Sequence, residues 1–442
     1  MILGASQVEI TPQTGVQLSG FAARIQPSLG VLDSLFAKAL FFSESDDSDE
    51  RLLWIHCDLI GFDRDIVINF RTWARERLGL AETRVMLSAT HTHSGPCTIR
   101  LEEAGVYDVA YVEFLQVRLR EAAEQALART ECGQWVNVEG QVKLAVDRRK
   151  MASAHTDSRV AAMGFRRKDG LFHAVIVNYA MHPVALGSSN RHISADVPGQ
   201  TAMALMRQLP GNPITLVTNG AGANLNPPAE NVSPLQTAAW GQQIADSVVT
   251  TLQNASAARR SGLRVLARVV PLPLDTLDVA GINAFADKAL QDTKSLAEWS
   301  DKYRRVVEHW RSSLLANAAN GCNGSHRDTE LFGIRLGDVF LLGVNAEVFS
   351  QFTDWLRRCT NKKIYLIGYA NGDLGYLPTR AAYAEGGYEV EAAHMFHGGF
   401  RFKADSLEIL FEGANAMLQE CMGDGVERSP IRELQRKAAR QL

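Results

Sequence analysis

Val85-Met86-Leu87-Ser88-Ala89-Thr90-His91-Thr92-His93-Ser94-Gly95-Pro96 is the stretch on which the reading of this 442-residue chain turns. Its first half is short and apolar and its end carries Gly-Pro, which predicts a buried β-strand running into a turn. If the strand covers 85–93, side chains alternate, and Val85, Leu87, Ala89, His91 and His93 share one face. Two imidazoles then project side by side at a strand end, where one or both can reach a single metal ion. The same pair also serves as a hydrogen-bonded structural couple, so spacing alone leaves both uses open.

Working outward, the chain alternates strands and helices. On the N-terminal side, FAKALFF and RLLWIHCD read as β-strands around SESDDSDE, whose crowded acidic charges suit a solvated hairpin loop. RDIVINFRTWARERLGL follows with helical spacing. On the C-terminal side, YVEFLQVRLREAAEQALART reads as a long amphipathic helix. VNVEGQVKLAVDR, RVAAMGFRR and FHAVIVNYAMHPV then read as strands, ADVPGQTAMALMRQLPG as a helix, NPITLVTNG as a buried strand and TAAWGQQIADSVVTTLQNASAARR as a helix. A helical excursion over about 278–319 precedes the strands of ELFGIRLGDVFLLGVNAEVF and the helix and strand of DWLRRCTNKKIYLIGYANG. The mixture predicts an α/β fold, a mixed β-sheet sandwich core flanked by helices in one large domain over 1–425. The basic, Gln-rich stretch 426–442 reads as a solvated tail.

Composition narrows the function. Apolar residues are 46% and charged residues 21%, which excludes disordered and fibrous classes. Lys plus Arg number 46 against 49 Asp plus Glu, a balance with no basic stripe, so nucleic acid is not expected as a partner. No run approaches the roughly 18 apolar residues of a membrane helix, so no stable membrane insertion is expected. The six cysteines are scattered without a C-x-x-C pair, and MILGASQVEITPQTG lacks the basic and apolar regions of a signal peptide. Both observations point to reduced thiols and a cytoplasmic address.

Common catalytic signatures (G-x-S-x-G, the P-loop, H-E-x-x-H) are absent. The glycines of NGAGANLNPP are by themselves weak evidence for a phosphate loop. Two further residues stand where sites are assembled, at strand ends. His182 follows an apolar run in Asn178-Tyr179-Ala180-Met181-His182-Pro183, and Glu347 closes VFLLGVNAE, where a carboxylate after a buried strand needs a partner.

SATHTHSGP, together with GASQVEITPQTGVQLSGFAAR, NYAMHP, ISADVPG, NGAGANLNP, NAEVF and YANGDLGYLPT in that order, resembles the catalytic domain of the neutral/alkaline (non-lysosomal) ceramidase family. Those enzymes are zinc-dependent amidases that cut the N-acyl bond of ceramide. The resemblance implies Zn2+ as cofactor, held by His91, His182, Glu347 and Tyr376. It also implies substrate-facing roles for His93, as acid/base or transition-state donor, for Arg148, as the group polarising the scissile carbonyl, and for Tyr388, twelve residues after the ligand tyrosine. Arg149 is adjacent, so the arginine could be either. The reaction implied is attack of metal-bound hydroxide on the amide carbon.

The departures bear on substrate. The family continues with glycines after HTHSGP, whereas Cys97 and Thr98 follow here and are expected to narrow or re-aim the entrance. The family's Gly-Asp-Val-Ser-Pro segment, with its proposed serine nucleophile, reads Ala223-Asn224-Leu225-Asn226-Pro227, which closes a covalent route at Asn226. The family's C-terminal immunoglobulin-like domain has no counterpart in the sequence. The expected activity is therefore hydrolysis of a smaller, soluble acyl amide as small-molecule partner. A lactone or ester hydrolase, a true ceramidase and a non-catalytic metal-binding relative are the alternatives.

Overall fold

Two mixed sheets share one apolar layer, and alternation along their strands dictates it. In Phe36–Ser43, Leu40 and Phe42 point into the layer between the sheets while Ala37 and Ala39 point to the opposite face; in Arg51–Cys57, Leu52 and Trp54 face inward and Leu53 and Ile55 outward. In this computed structural model, residues 1–45, 48–253, 255, 262–292, 300–360 and 362–423 are described. Residues 46 and 47 of the acidic loop and the tail expected over 426–442 lie outside them.

The larger sheet has eight strands in the order Ile214–Asn219, Phe172–Tyr179, Arg159–Arg167, Thr130–Gln141, Ile2–Glu9, Phe36–Ser43, Arg51–Cys57 and Val85–Ala89. Only its two outermost pairs are parallel. The smaller sheet has four, Leu263–Pro273, His326–Leu336, Val339–Val344 and Lys363–Ile367, the last pair parallel. Leu40, Trp54, Phe165 and Ile176 of the first sheet pack against Val265, Phe332, Leu341 and Ile367 of the second.

Helices cover both outer faces. Arg64–Leu78 and Val109–Ala128 bury Phe70, Leu115 and Leu119 on one half of the large sheet. Asp196–Gln208 and Pro234–Leu252 bury Leu205, Ile244 and Val248 on the other half. The excursion forms Val279–Asp292 and Ser300–Ala319, whose Ile282, Val306 and Trp310 join Ser406–Met422 on the small sheet. Helix starts follow local chemistry: Asp108 accepts from Tyr111 N at 3.0 Å, and Ser233 precedes Pro234 and accepts from Gln236 N. The result is the expected sandwich flanked by helices. No helix among the described residues is long and apolar enough to cross a membrane.

The sheets are stapled at one edge. Ser88 bridges Ala370, and Asn371 binds both polar atoms of Leu87, its backbone N donating to the Leu87 carbonyl at 2.7 Å and its Oδ1 accepting from the Leu87 N at 2.8 Å. The carboxyl ends of Val85–Ala89, Phe172–Tyr179, Val339–Val344 and Lys363–Ile367 are thereby gathered. In α/β sheets these ends are where ligands bind.

Candidate metal centre

The strand expected over 85–93 stops at Ala89. Thr90 N is drawn to the Cys57 carbonyl at 2.9 Å and His91 N to the Leu59 carbonyl at 2.8 Å, and His91 takes a left-handed φ of 69°. Alternation therefore does not place the two histidines. A turn does, bringing His91 Nε2 and His93 Nε2 to 3.3 Å. A non-glycine residue at such φ costs about 1–3 kcal/mol, and the bonds to both sides of His91 hold it there. His93 rests on the N-terminal Gly-aromatic turn. Gly20 has φ 92°, a Cβ on it would stand 2.4 Å from His93 Nδ1, and Phe21 meets the ring edge-on at 4.9 Å.

His91 Nδ1 lies 2.7 Å from the Ile60 carbonyl and His182 Nδ1 2.9 Å from the Gly222 carbonyl. A carbonyl only accepts, so both Nδ1 atoms carry the proton and both Nε2 atoms present lone pairs. The glycines of NGAGANLNPP thus serve to aim His182. Glu347 Oε2 stands 3.2 Å from His182 Nε2 and 3.7 Å from His91 Nε2. Glu347–Val348 pairs in parallel with Tyr376–Leu377, which brings the Tyr376 hydroxyl into hydrogen-bonding contact with the Glu347 carboxyl. Tyr369, which the sequence reading did not single out, stacks on His91 at 3.8 Å and donates to Glu347 Oε2 at 3.4 Å.

The four expected ligands are thus together, with His93 beside them. His91, His93 and His182 each offer a ligand nitrogen, all within 4.8 Å of one another. Burial, reinforced by neighbouring cationic and imidazole groups, keeps His91 and His93 well below the usual histidine range and His182 at about 3. They are therefore neutral, the form that binds metal. Burial pushes Glu347 up to about 7, against the pull of Arg148 and Tyr376. Contrast His56, a buried histidine of the sandwich whose ring nitrogens are both satisfied, by Ser88 Oγ at 2.9 Å and the Val217 carbonyl at 3.1 Å. His182 Nε2 is sealed from solvent without a hydrogen-bond partner. Two aimed imidazoles, a carboxylate and a phenol are a donor set that fits a metal cation.

The arginines part company. Arg148 lines the cavity above this cluster, its Nη2 donating to Tyr376 Oη at 3.1 Å, Nη1 to Asn226 Oδ1 at 3.4 Å and Nε to Glu389 Oε1 at 2.8 Å. Burial works against its charge, but Tyr376, Glu389 and Glu347 outweigh it and hold the guanidinium protonated. Arg149 turns away, bonding Glu389 Oε2 at 2.6 Å and the Gly386 carbonyl at 2.7 Å, and so anchors the turn that presents Tyr388. Tyr388, half exposed, stands at the mouth with its ring 5.8 Å from that of Tyr376. Glu389 binds both arginines and was missed in the sequence. Its one signal is a charge between Tyr388 and the buried Val390.

The cavity holds about 320 Å3, with Phe21, Leu101, Val184 and Phe396 on its apolar wall. Cys97 and Thr98 do not narrow it. Both are buried, Cys97 Sγ directed at the Ile99 carbonyl and Thr98 Oγ1 at the Gly61 carbonyl, so the side chains that replace glycines point into the protein. Asn226 does line the cavity and donates to Glu230 Oε1 at 2.7 Å.

No protein-family model matches the chain. Over 233 residues, 47% of the chain, it is 23% identical to neutral ceramidase B of Dictyostelium discoideum, and the matched stretch spans 32% of that protein's length. The crystal structure of neutral ceramidase from Pseudomonas aeruginosa superposes with a TM-score of 0.72 at 16% identity, covering 97% of this chain and 75% of that one. A ceramidase complexed with C2 gives the same TM-score and identity over 76% of its length. The chain has a neutral-ceramidase-like fold.

Proposed function

We propose that this protein is a zinc-dependent hydrolase that cleaves the N-acyl bond of a small, soluble amide. The observation that carries the reading is the pair of imidazoles with Nδ1 fixed on backbone carbonyls, one of them holding a buried, unpartnered Nε2 3.2 Å from the Glu347 carboxylate. His91, His182, Glu347 and Tyr376 are the residues that hold the metal. Zinc bound there lowers the pKa of a water towards neutrality and polarises a carbonyl.

The chain's own groups do the rest. Arg148, kept charged and braced by Glu389, presents Nη1 and Nη2 to the cavity, where they can donate to a carbonyl oxygen as it gains charge. A preorganised donor of this kind contributes about 3 kcal/mol to the transition state. Tyr388 offers a second donor from the mouth. His93, neutral and seated on Gly20 and Phe21, lines the cavity with its Nε2 turned to His91 Nε2 at 3.3 Å, and from there can carry a proton to the leaving amine. Asn226 is an amide engaged with Arg148 and Glu230, so it supplies no nucleophile.

The cavity of about 320 Å3 lies within the roughly 300–1,000 Å3 of small-molecule pockets, and its apolar wall suits an acyl group. The test is kcat/KM for a series of N-acyl amines and for ceramide in detergent, with and without chelator. We expect the short soluble amides to be at least about tenfold better substrates and the chelator to abolish turnover. Efficient ceramide cleavage with no soluble amide turned over would overturn the substrate assignment, and activity indifferent to chelator would overturn the metal.

A further inference from the structure

We propose that the cavity floor holds a second divalent-cation site, formed by Glu347, Asp373 and His397, so that Glu347 bridges two metal ions. The inference rests on the preceding reading that the histidine set holds a metal. One ligand oxygen of Glu347, one of Asp373 and one ring nitrogen of His397 lie within 4.8 Å of one another, a second three-donor set beside that of His91, His93 and His182. Glu347 belongs to both neighbourhoods, because its Oε2 is 3.2 Å from His182 Nε2 and 3.7 Å from His91 Nε2.

Asp373 carries the independent observation. Its Oδ1 accepts from Gly375 N at 2.9 Å, while its Oδ2 is closed off from solvent with no hydrogen-bond partner. A bare carboxylate oxygen beside a buried carboxylate is unfavourable unless a proton or a cation joins them. The backbone is shaped for that approach. Asn371, Gly372 and Gly375 all have positive φ (62°, 138° and 89°), folding the loop back under the cavity. A Cβ on Gly375 would stand 3.1 Å from His397 Cδ2, so glycine there lets the imidazole close on the carboxylates. Two carboxylates and an imidazole suit Zn2+ or Mn2+. In known two-metal hydrolytic sites the ions stand about 3.5–4 Å apart, the scale on which a single carboxylate such as Glu347 spans.

Metal content and coupling test this directly. The metal-free chain is titrated with Zn2+ and metal per folded chain is measured by mass spectrometry; in parallel it is loaded with Mn2+ and its EPR spectrum recorded. We expect two ions per wild-type chain and an exchange-coupled Mn2+ pair. Asp373→Asn and His397→Gln should each drop to one ion with an uncoupled spectrum, while circular dichroism shows both variants folded. One ion per wild-type chain, kept by both variants, would overturn the second site and leave the first standing. No ion in the wild type would remove both. Should either variant fail to fold, the stoichiometry and coupling of the wild type decide alone.

Discussion

Replacing Glu347 by glutamine should abolish metal binding and yet stabilise the metal-free protein at alkaline pH. The carboxyl is buried, and without a cation its folded pKa is about 7 against an ordinary value of 4.5. Below 4.5 the group is neutral in the folded and unfolded states, so its protonated form contributes fully. As pH rises from there, the unfolded chain releases the proton while the folded chain keeps it, and stability falls until the folded group itself ionises near 7. At about 1.4 kcal/mol per pH unit, the loss between about pH 5 and pH 8 is about 2.5 kcal/mol. Glutamine has the same shape and does not titrate. The depressed histidines of the cluster titrate in both proteins and cancel in the difference.

Urea unfolding of the chelator-stripped proteins at the two pH values measures it. The variant should gain about 2.5 kcal/mol on the wild type between pH 5 and pH 8. Adding Zn2+ at about a hundred times its Kd should then return about 2.7 kcal/mol to the wild type and nothing to the variant. A pH-dependent difference under about 1 kcal/mol, or a variant that still responds to zinc, would refute the placement of Glu347 as a buried charge that a cation compensates.

His182→Ala should lose most of its zinc by metal analysis; full content would remove His182 from the ligand set. His93→Ala and Tyr388→Phe should keep the metal and lose about 10²-fold in turnover, and loss of zinc in the first would make His93 a ligand. Glu389→Gln leaves two guanidinium groups facing a neutral side chain, so denaturation should show a loss of about 3 kcal/mol, with turnover falling as Arg148 loses its brace. A stability within about 0.5 kcal/mol of wild type would show that the ion pairs matter little.

Elements with strong local periodicity were legible. Phe36–Ser43 and Arg51–Cys57 alternate cleanly and pair antiparallel around the acidic loop, as their patterns require. Leu263–Pro273 carries no legible strand pattern, for a physical reason. It is the outer strand of the small sheet, carries Arg264, Arg268, Pro271 and Pro273, and only some of its residues are buried, so its alternation is diluted. Ser406–Met422 carries a helical signal of its own, with Leu407, Leu410, Phe411, Ala414, Met417 and Leu418 at helical spacing. At the site, alternation gave the right neighbours by the wrong geometry, since His91 and His93 meet through a left-handed turn. Tyr376 was reached only through the family resemblance. Asp373 and His397 stand in different loops, and no local pattern links two residues whose proximity depends on the glycine conformations between them.

The position of the centre explains why its residues had to come from so many segments. His91 is held by the loop after Arg51–Cys57, through the Leu59 and Ile60 carbonyls, and His182 by the loop after Ile214–Asn219, through Gly222. Those loops belong to the large sheet, whereas Glu347, Tyr369 and Tyr376 follow strands of the small one. A cation bound among them would join the two sheets at the edge where Asn371 already staples them. Without it, the same burial that keeps the imidazoles neutral leaves Glu347 and the His182 Nε2 poorly compensated. The unfolded chain has no such preformed set of donors, so metal binding would add to the stability of the folded sandwich. The chemistry of the site and the closure of the fold are therefore coupled through one carboxylate: the burial that readies Glu347 for a metal is what makes the metal-free sandwich weakest above the pH at which that carboxylate ionises.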